Sequence, residues 1–386
     1  MTTRLSIPAA ALVAAIVGFG GTLALIIAAA DALGASREQT ASWVTAVCLA
    51  LAVETAYLSW RTKMPVVTAW STPGLALLAA AGGFTMNDAV GAFIMVAVLL
   101  IVTGTLRPLS RLVGRIPASL SSGMLAGILV SFAIGAVKAA GSDPLLVLPL
   151  AVLFFAVRLF NPALSVLAVL VAGVVLAWAL GRIDAFPEPE LSTLVFTEPR
   201  FTLAGFFGLA LPIYLVTMAS QNLAGIAVLR AAGYEPPSGL LVWFTGAISL
   251  LSAPFNAVTT NLAAISAAIC TGPDAHPDPA ERWKTGPYYA LWYLIFALFG
   301  ASLVALFDAL PPQLIILVAG LGLLAPLANA LTMALGDAGL RTAAVVAFAV
   351  TASGVTMAGI GSAFWGLMAG LFVAALDAAG KRYLKQ

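Results

Sequence analysis

From Ile7 to Ala379 the chain is a near-continuous succession of apolar runs, most of them long enough to cross a bilayer. Runs of about 18–25 residues cover a hydrocarbon core of roughly 30 Å. Nothing constrains the fold more, because lipid offers no partner for backbone N–H and C=O groups. Only helices or a closed barrel satisfy those groups internally. Barrel strands would show alternation over about ten residues, and that alternation is absent. Composition agrees: 62% of residues are hydrophobic and 9% charged, against roughly a quarter charged in soluble domains. The sequence therefore predicts an all-α polytopic protein whose surroundings are the lipid bilayer. The net charge of +2 gives no basis for a nucleic-acid partner.

The runs fall into two sets of seven. The first reads Ile7–Ala30, Ala41–Trp60, a broken unit Val66–Gly83, Ala89–Leu106, Ala118–Val137, Leu145–Phe160 and Ala163–Leu180. The second reads Phe201–Leu229, Gly239–Ser252, a broken unit Asn256–Thr271, Tyr288–Phe307, Pro312–Leu335, Thr342–Met357 and Gly361–Ala379. Residues 1–180 thus form a first repeat, 181–200 an extracytoplasmic connector rich in Pro and Glu, and 201–386 a second repeat. Cytoplasmic loops carry the excess of Lys and Arg. With the N-terminus inside, Arg4, Arg61, Lys63, Arg107, Arg111, Arg115, Arg158, Arg230, Arg282, Lys284, Arg341, Lys381, Arg382 and Lys385 are cytoplasmic, and only Arg37, Lys138, Arg182 and Arg200 lie outside. Both termini are then cytoplasmic in a multi-pass protein of the cell inner membrane. An odd number of segments per half also makes the repeats inverted. The first run is too long for a signal-peptide core.

Two of the fourteen segments cannot span as single helices. PVVTAWSTPG (Pro65–Gly74) and PFNAVTTNLAAIS (Pro254–Ser266) are Pro-punctuated and polar, and their prolines stand 189 residues apart (254 − 65) in a chain of 386. Broken segments at matching places in two halves point to a secondary transporter with its site between inverted repeats. Ordinary Pro/Gly kinks are the competing reading. In segment 3 the β-branched and aromatic run Val66–Trp70 suits a short strand. Pro73 then fits the first turn of a half-helix capped by Ser71 or Thr72. Segment 10 is expected to follow the same plan, extended over Asn256–Thr259 and capped by Thr260 or Asn261. The two half-helix N-termini would face each other, each with free N–H groups and about half a positive charge, which favours an anion. With no Lys or Arg in mid-span, the expected ligand is a small carboxylate or other weak acid.

Other polar groups in apolar surroundings extend the candidate list. Segment 8 carries Ser220-Gln221-Asn222, whose amides need partners or a cavity; helix–helix contact is the alternative. Tyr214 and Met218 share the face of Gln221 and are candidates to line a ring-shaped cavity, as plain packing would also place them. Phe19, within Gly18-Phe19-Gly20-Gly21-Thr22, could stack on an aromatic ligand, or the glycines could serve packing alone. Glu54 is the only acid well inside a segment; it is read as a proton-coupling candidate, or as a side chain pairing with Arg61 near the cytoplasmic face. The substrate's own carboxyl is a third carrier of the proton. Cys48 and Cys270 read as buried free thiols, and His276 lies in a polar loop, so neither a metal site nor a cofactor is expected.

PVVTAWSTPG, ASQNLAGIAVLRAAGY (Ala219–Tyr234) and APFNAVTTNLAAISAAICTG (Ala253–Gly272) resemble the benzoate/proton symporter family known as BenE, over essentially the whole chain. That family is similar in architecture to the uracil permease and bicarbonate/sulfate transporter fold. The resemblance implies 7+7 inverted repeats, a core of segments 1–4 and 8–11, a gate of segments 5–7 and 12–14 that is also the usual homodimer surface, and movement of core against gate. Nucleobase carriers of this fold place acids on segments 8 and 10, where this chain has the neutral Gln221 and Asn261. A neutral pair suits an anion.

The expectation is proton-coupled uptake of benzoate or a related aromatic carboxylate. The carboxylate would be held by Ser71, Thr72, Gly74, Gln221, Asn222, Thr259, Thr260 and Asn261, and the ring by Phe19, Trp70 and Phe255. The same fold carrying a nucleobase or inorganic anion is the alternative. An enzyme is disfavoured, because no Asp-rich metal motif, intramembrane His–Glu pair, Ser–Lys or Ser–His arrangement is present. A passive channel is disfavoured because a split mid-membrane site suits occlusion.

Overall fold

A computed structural model describes residues 6–20, 22–106, 117–162, 164–183, 187–357 and 359–383. Arg4, Gly21, Arg107, Arg111, Arg115, Ala163 and Lys385 lie outside the described residues, as do the side chains of Lys381 and Arg382. In chain order the elements are α1 Ile7–Gly20, α2 Leu23–Ala32, α3 Arg37–Thr62, β1 Thr68–Trp70, α4 Thr72–Ala80, α5 Met86–Thr105, α6 Ala118–Ser142, α7 Pro144–Phe160, α8 Ser165–Ala179, α9 Leu203–Ala231, α10 Ser238–Ser252, β2 Thr260–Leu262, α11 Ile265–Thr271, α12 Thr285–Leu298, α13 Gly300–Asp308, α14 Pro312–Gly322, α15 Leu324–Gly336, α16 Arg341–Ala352 and α17 Ser362–Tyr383. Among the described residues eight helical stretches are long and apolar enough to cross a membrane, and nine if Pro279–Leu298 and Gly300–Asp308, bent by 58°, count as one. Shorter apolar helices are α7, α8 and α16.

The bend between α12 and α13 replaces the straight segment expected from Tyr288 to Phe307. Its cause is local. The Ala301 amide donates to Ser192 Oγ at 2.7 Å, and the Thr45 hydroxyl donates to Ala297 O at 3.4 Å. Backbone groups freed at the bend thus find side-chain partners, the condition for a kink inside an apolar layer. Elsewhere helix ends are written in the sequence: Ser36 with Gln39 and Thr85 with Asp88 form reciprocal capping boxes, and Asp143 caps α7 ahead of Pro144.

The helices pack as two groups. In one, α3 packs on α12, α5 on α10, α1 on α12 and α11, and α4 on α2 and α9. In the other, α6 packs on α14, α15 and α16, α16 on α17, and α7 on α8. The 187–200 stretch straps one end of the first group. Its carbonyls and amides engage Asn87, Ser42 and Pro254, while Arg200 reaches Asp88 at 3.6 Å. At the same end Arg37 pairs with Glu190 and Asp308.

Between the long helices lie the two broken units, each a three-residue strand followed by a short helix. In the first, Ser71 caps α4, its Oγ accepting from the Gly74 amide at 3.2 Å. The second departs from expectation. Pro254 belongs to a 3-10 turn, Ala253–Phe255, that closes α10, and Asn256 turns the chain with φ 74°. The strand therefore begins later, at Thr260, and Thr260 and Asn261 sit within it rather than capping a helix. α11 starts at Ile265 with no side-chain cap. It has seven residues, so the second N-terminus does not match the first.

Candidate functional site

β1 and β2 pair antiparallel with Ala69 opposite Asn261, Thr68 opposite Leu262 and Trp70 opposite Thr260. The ladder continues through the Ser71 amide to Thr259 O at 3.1 Å and the Ala263 amide to Val67 O at 2.9 Å. A two-stranded sheet has two open edges, and an open edge inside an apolar layer is intolerable unless covered. Side chains cover it here. Thr55 Oγ1 accepts from the Thr68 amide (3.1 Å), Ser249 Oγ from the Thr260 amide (2.9 Å) and Asn222 Oδ1 from the Leu262 amide (3.0 Å). The Tyr289 hydroxyl donates to Thr68 O at 3.2 Å.

Side chains alternate along a strand, so the pair has two faces. On one, Thr68 and Thr55 share a hydroxyl hydrogen bond of 2.8 Å, while the Thr260 hydroxyl lies 2.5 Å from Glu54 Oε1 and 2.9 Å from Ser249 Oγ. Glu54 is fully buried and its Oε2 has no hydrogen-bond partner. The expected alternative of pairing with Arg61 fails, since Arg61 is exposed at the helix end while Glu54 turns inward. The other buried carboxyls among the described residues each have an arginine: Asp88 has Arg200, and Asp143 has Arg182 at 2.6 Å. Glu54 has no cation.

On the opposite face lie Ala69, Ser71, Thr259 and Asn261. The Ser71 hydroxyl shares a 2.6 Å hydrogen bond with Thr217. Thr259 Oγ1 and Asn261 Oδ1 are buried without partners. The Asn261 amide nitrogen donates to Leu262 O at 3.0 Å, which sets the orientation that leaves the oxygen free. Unsatisfied polar atoms are uncommon in protein interiors and mark places where a ligand or water belongs.

α9 borders this face with a π-helical turn, Thr217–Asn222. In an α-helix residues five apart point about 140° from each other, whereas the i→i+5 repeat of a π-turn brings them nearly into line. Thr217 therefore reaches Ser71 while Asn222 reaches Leu262, and one turn holds both broken units. Gly225 allows the approach, because a Cβ there would stand 2.6 Å from Leu262 Cβ. Gln221 is half-buried and makes no hydrogen bond among the described residues. Tyr214 does not join it, since its hydroxyl bonds Thr103 on α5 at 2.5 Å, and Met218 is occupied as acceptor for the Asn222 amide.

The aromatic candidates separate. Phe19 meets Trp70 edge-on at 5.7 Å, and both contact Tyr293; Phe296 lies 4.5 Å from Phe19. The Trp70 indole donates to Thr22 at 2.8 Å. Phe255 lies apart from this wall, its ring against Phe196 of the connector. Thr72 is half-buried at the start of α4. Sequence reading missed Thr55, Thr217, Ser249, Tyr289 and Tyr293. All are polar groups inside apolar runs, the signal that singled out Gln221.

The strand pair is enclosed by α3, α9 and α10 of the first helix group. The fold matches the transmembrane domain of a cyanobacterium bicarbonate transporter, BicA, with TM-score 0.56 and 15% identity over 95% of this chain and 94% of that one. It matches SLC26A9 with TM-score 0.68 and 13% identity over 96% of this chain and 65% of that one. At such identities the likeness defines the fold alone. Sequence narrows it: a family model described as benzoate membrane transport protein (BenE) matches residues 2–376, and the chain belongs to that family. It is 41% identical to the inner membrane protein YdcO of Escherichia coli (strain K12) over 365 residues, 94% of this chain and 93% of that protein. It is 34% identical to a benzoate membrane transport protein of Acinetobacter baylyi over 369 residues, 95% and 94% respectively. The resemblance carried by TAWSTPG and ASQNL holds along the whole chain. The protein is a multi-pass membrane transport protein and not an enzyme.

Proposed function

We propose that this protein is a secondary active transporter that takes up benzoate, or a related aromatic carboxylate, together with protons by alternating access. The observation that carries this reading is the buried strand face with unpartnered Thr259 and Asn261, in a chain whose whole length matches a benzoate transport family. The carboxylate rests against Ser71, Thr72 and Gly74 at the start of α4, where the Thr72 amide and the helix dipole favour negative charge. Thr259, Asn261 and Gln221 complete its hydrogen bonds. Phe19 of α1 takes the ring, and Trp70, whose side chain shares the Thr260 face of the strand pair, backs Phe19 edge-on. Asn222 serves by holding β2, and Phe255 is left to the connector.

The nine long spans, three shorter apolar helices and two broken units make fourteen segments in this reading. Thr68 and Thr260 occupy equivalent places either side of the Ala69–Asn261 pair, as an inverted 7+7 repeat requires. The first helix group is the core and the second the gate and dimer surface. The Lys63 and Arg282 end faces the cytoplasm with both termini, in the inner membrane, and the connector lies outside. Glu54, buried and without a cation, is the coupling proton's carrier.

The test is uptake of radiolabelled benzoate into proteoliposomes under an inward proton gradient, with and without a protonophore, against protein-free vesicles. Protein-dependent, protonophore-sensitive accumulation is expected. No protein-dependent benzoate flux, with flux of bicarbonate, sulfate or uracil instead, would overturn the substrate and leave the fold.

A further inference from the structure

Thr260, the partner of the proposed proton carrier Glu54, and the substrate groups Thr259 and Asn261 are consecutive residues whose side chains lie on opposite faces of one strand. Thr260 turns its hydroxyl to Glu54, while Thr259 and Asn261, one residue to either side, turn unpartnered oxygens to the other face. We infer that β2 is the coupling element of this transporter, with Thr260 the positioning residue that links the proton on Glu54 to the grip of Thr259 and Asn261 on the carboxylate. This rests on the reading of the site as a proton-coupled carboxylate site.

The hydrogen-bond chemistry supplies the link. A carboxylate only accepts, whereas a carboxylic acid also donates one O–H. With Glu54 ionised, the Thr260 hydroxyl donates to Oε1 at 2.5 Å, and Ser249 Oγ–H donates to Thr260 Oγ1 at 2.9 Å. When one proton from the outer medium adds to the Glu54 carboxylate, its new O–H donates to Thr260 Oγ1. The Thr260 hydrogen must then turn away, and Thr245 O, 3.4 Å off, is the acceptor in place. Release of that proton to the cytoplasm restores the first arrangement. β2 cannot absorb the change by local slack, because its amides are held by β1, Ser249 and Asn222. A movement of Thr260 is therefore carried to both neighbours.

Among the described residues no charged group competes for Glu54. The strands and α10 bring hydroxyls and amides, and the turn Ala253–Phe255 brings nothing titratable. α12 brings Tyr289 and Tyr293, which hydrogen-bond each other at 3.2 Å. Its own helix carries Cys48 and Tyr57, with Arg37, Glu38 and Arg61 at the two ends. The charges of the other elements packed there, Asp31, Asp308, Glu281, Arg282 and Lys284, sit at helix ends or in loops.

The experiment compares benzoate counterflow at equal pH on both sides, repeated across pH, with gradient-driven accumulation in the same proteoliposomes. Thr260→Val and Glu54→Gln are expected to flatten the pH profile and to cut accumulation by about tenfold, the value of one hydrogen bond to a charged group. Thr260→Ser restores both. Thr259→Val gives the opposite split, raising the half-saturating benzoate concentration about tenfold with the pH profile kept. A Thr260→Val protein with the wild-type profile and accumulation overturns the inference, as does one whose only change is weaker half-saturation. If Thr260→Val does not yield monodisperse protein, Ser249→Ala, which removes the other partner of the same hydroxyl, takes its place. If the wild type moves no benzoate, the proposed substrate has failed. The coupling is then decided by the infrared carboxyl stretch of Glu54, assigned by its loss in Glu54→Gln. A titration midpoint unmoved by Thr260→Val overturns the link, and a displaced one supports it.

Discussion

In the first broken unit the change from strand to helix is written in four consecutive residues: Ser71 caps, Thr72 and Pro73 start the turn, and Gly74 receives the cap. The second unit has no cap, a seven-residue helix and a strand edge covered by Ser249 and Asn222 from other helices. The strand-to-helix step is specified locally in the first unit and by its neighbours in the second. Pseudo-equivalent geometry thus does not require equivalent chemistry. The less self-sufficient unit is also the one that carries Thr259, Thr260 and Asn261. Both strands take edge partners from other helices, β1 from Thr55 and Tyr289, but only the second lacks a capped, proline-started helix to fix its end.

The largest expected break in this comparison is Gly225→Val. Its new carbons meet Leu262 Cβ and Ala263 O, atoms of the second unit's own strand and turn. Overpacking of this kind costs about 3 kcal/mol at the upper end of the usual range. Thermal unfolding of the purified protein in detergent should show it, together with loss of transport. Next in size is Asn222→Leu, which leaves the Leu262 amide buried without an acceptor at a cost of about 2 kcal/mol. In the first unit Ser71→Ala, read against Thr217→Val to remove the shared hydroxyl bond, loses a cap worth about 1 kcal/mol, and Pro73 still starts the helix. If Ser71→Ala read in this way proves as damaging as Asn222→Leu, the first unit is not self-sufficient and the contrast falls.

The same contrast explains what the sequence disclosed. The succession of apolar runs and the two breaks were legible because lipid imposes length and self-satisfaction on every span, and Ser71 and Pro73 act on their own neighbours in sequence. The start of β2 was misplaced by a few residues because Thr260 and Asn261 are capping residue types whose backbone stays extended in the ladder with β1. The acceptors that keep it so, Ser249 and Asn222, lie 11 and 40 residues away. Glu54 was legible as a lone acid. Its partner was not, since Arg61 is near in sequence and Thr260 is 206 residues distant. Phe255 looked like a ring contact by composition and packs instead on Phe196, a pairing that no local pattern records.

The finest division lies between adjacent amides. Asn222 is spent on the Leu262 backbone, whereas Gln221, one residue earlier on the same π-turn, has no partner among the described residues. Gln221→Leu should therefore change stability by less than about 0.5 kcal/mol, as substitutions away from buried networks do. If Gln221 donates to the bound carboxylate, the variant loses one hydrogen bond to a charged group, worth about 1.5 kcal/mol and hence about tenfold in affinity. Counterflow kinetics separate the two: half-saturation should rise while the maximal exchange rate and the melting temperature stay near wild type. A variant that melts early with unchanged half-saturation would make Gln221 a helix contact like its neighbour, leaving the carboxylate to Thr259, Asn261 and the start of α4.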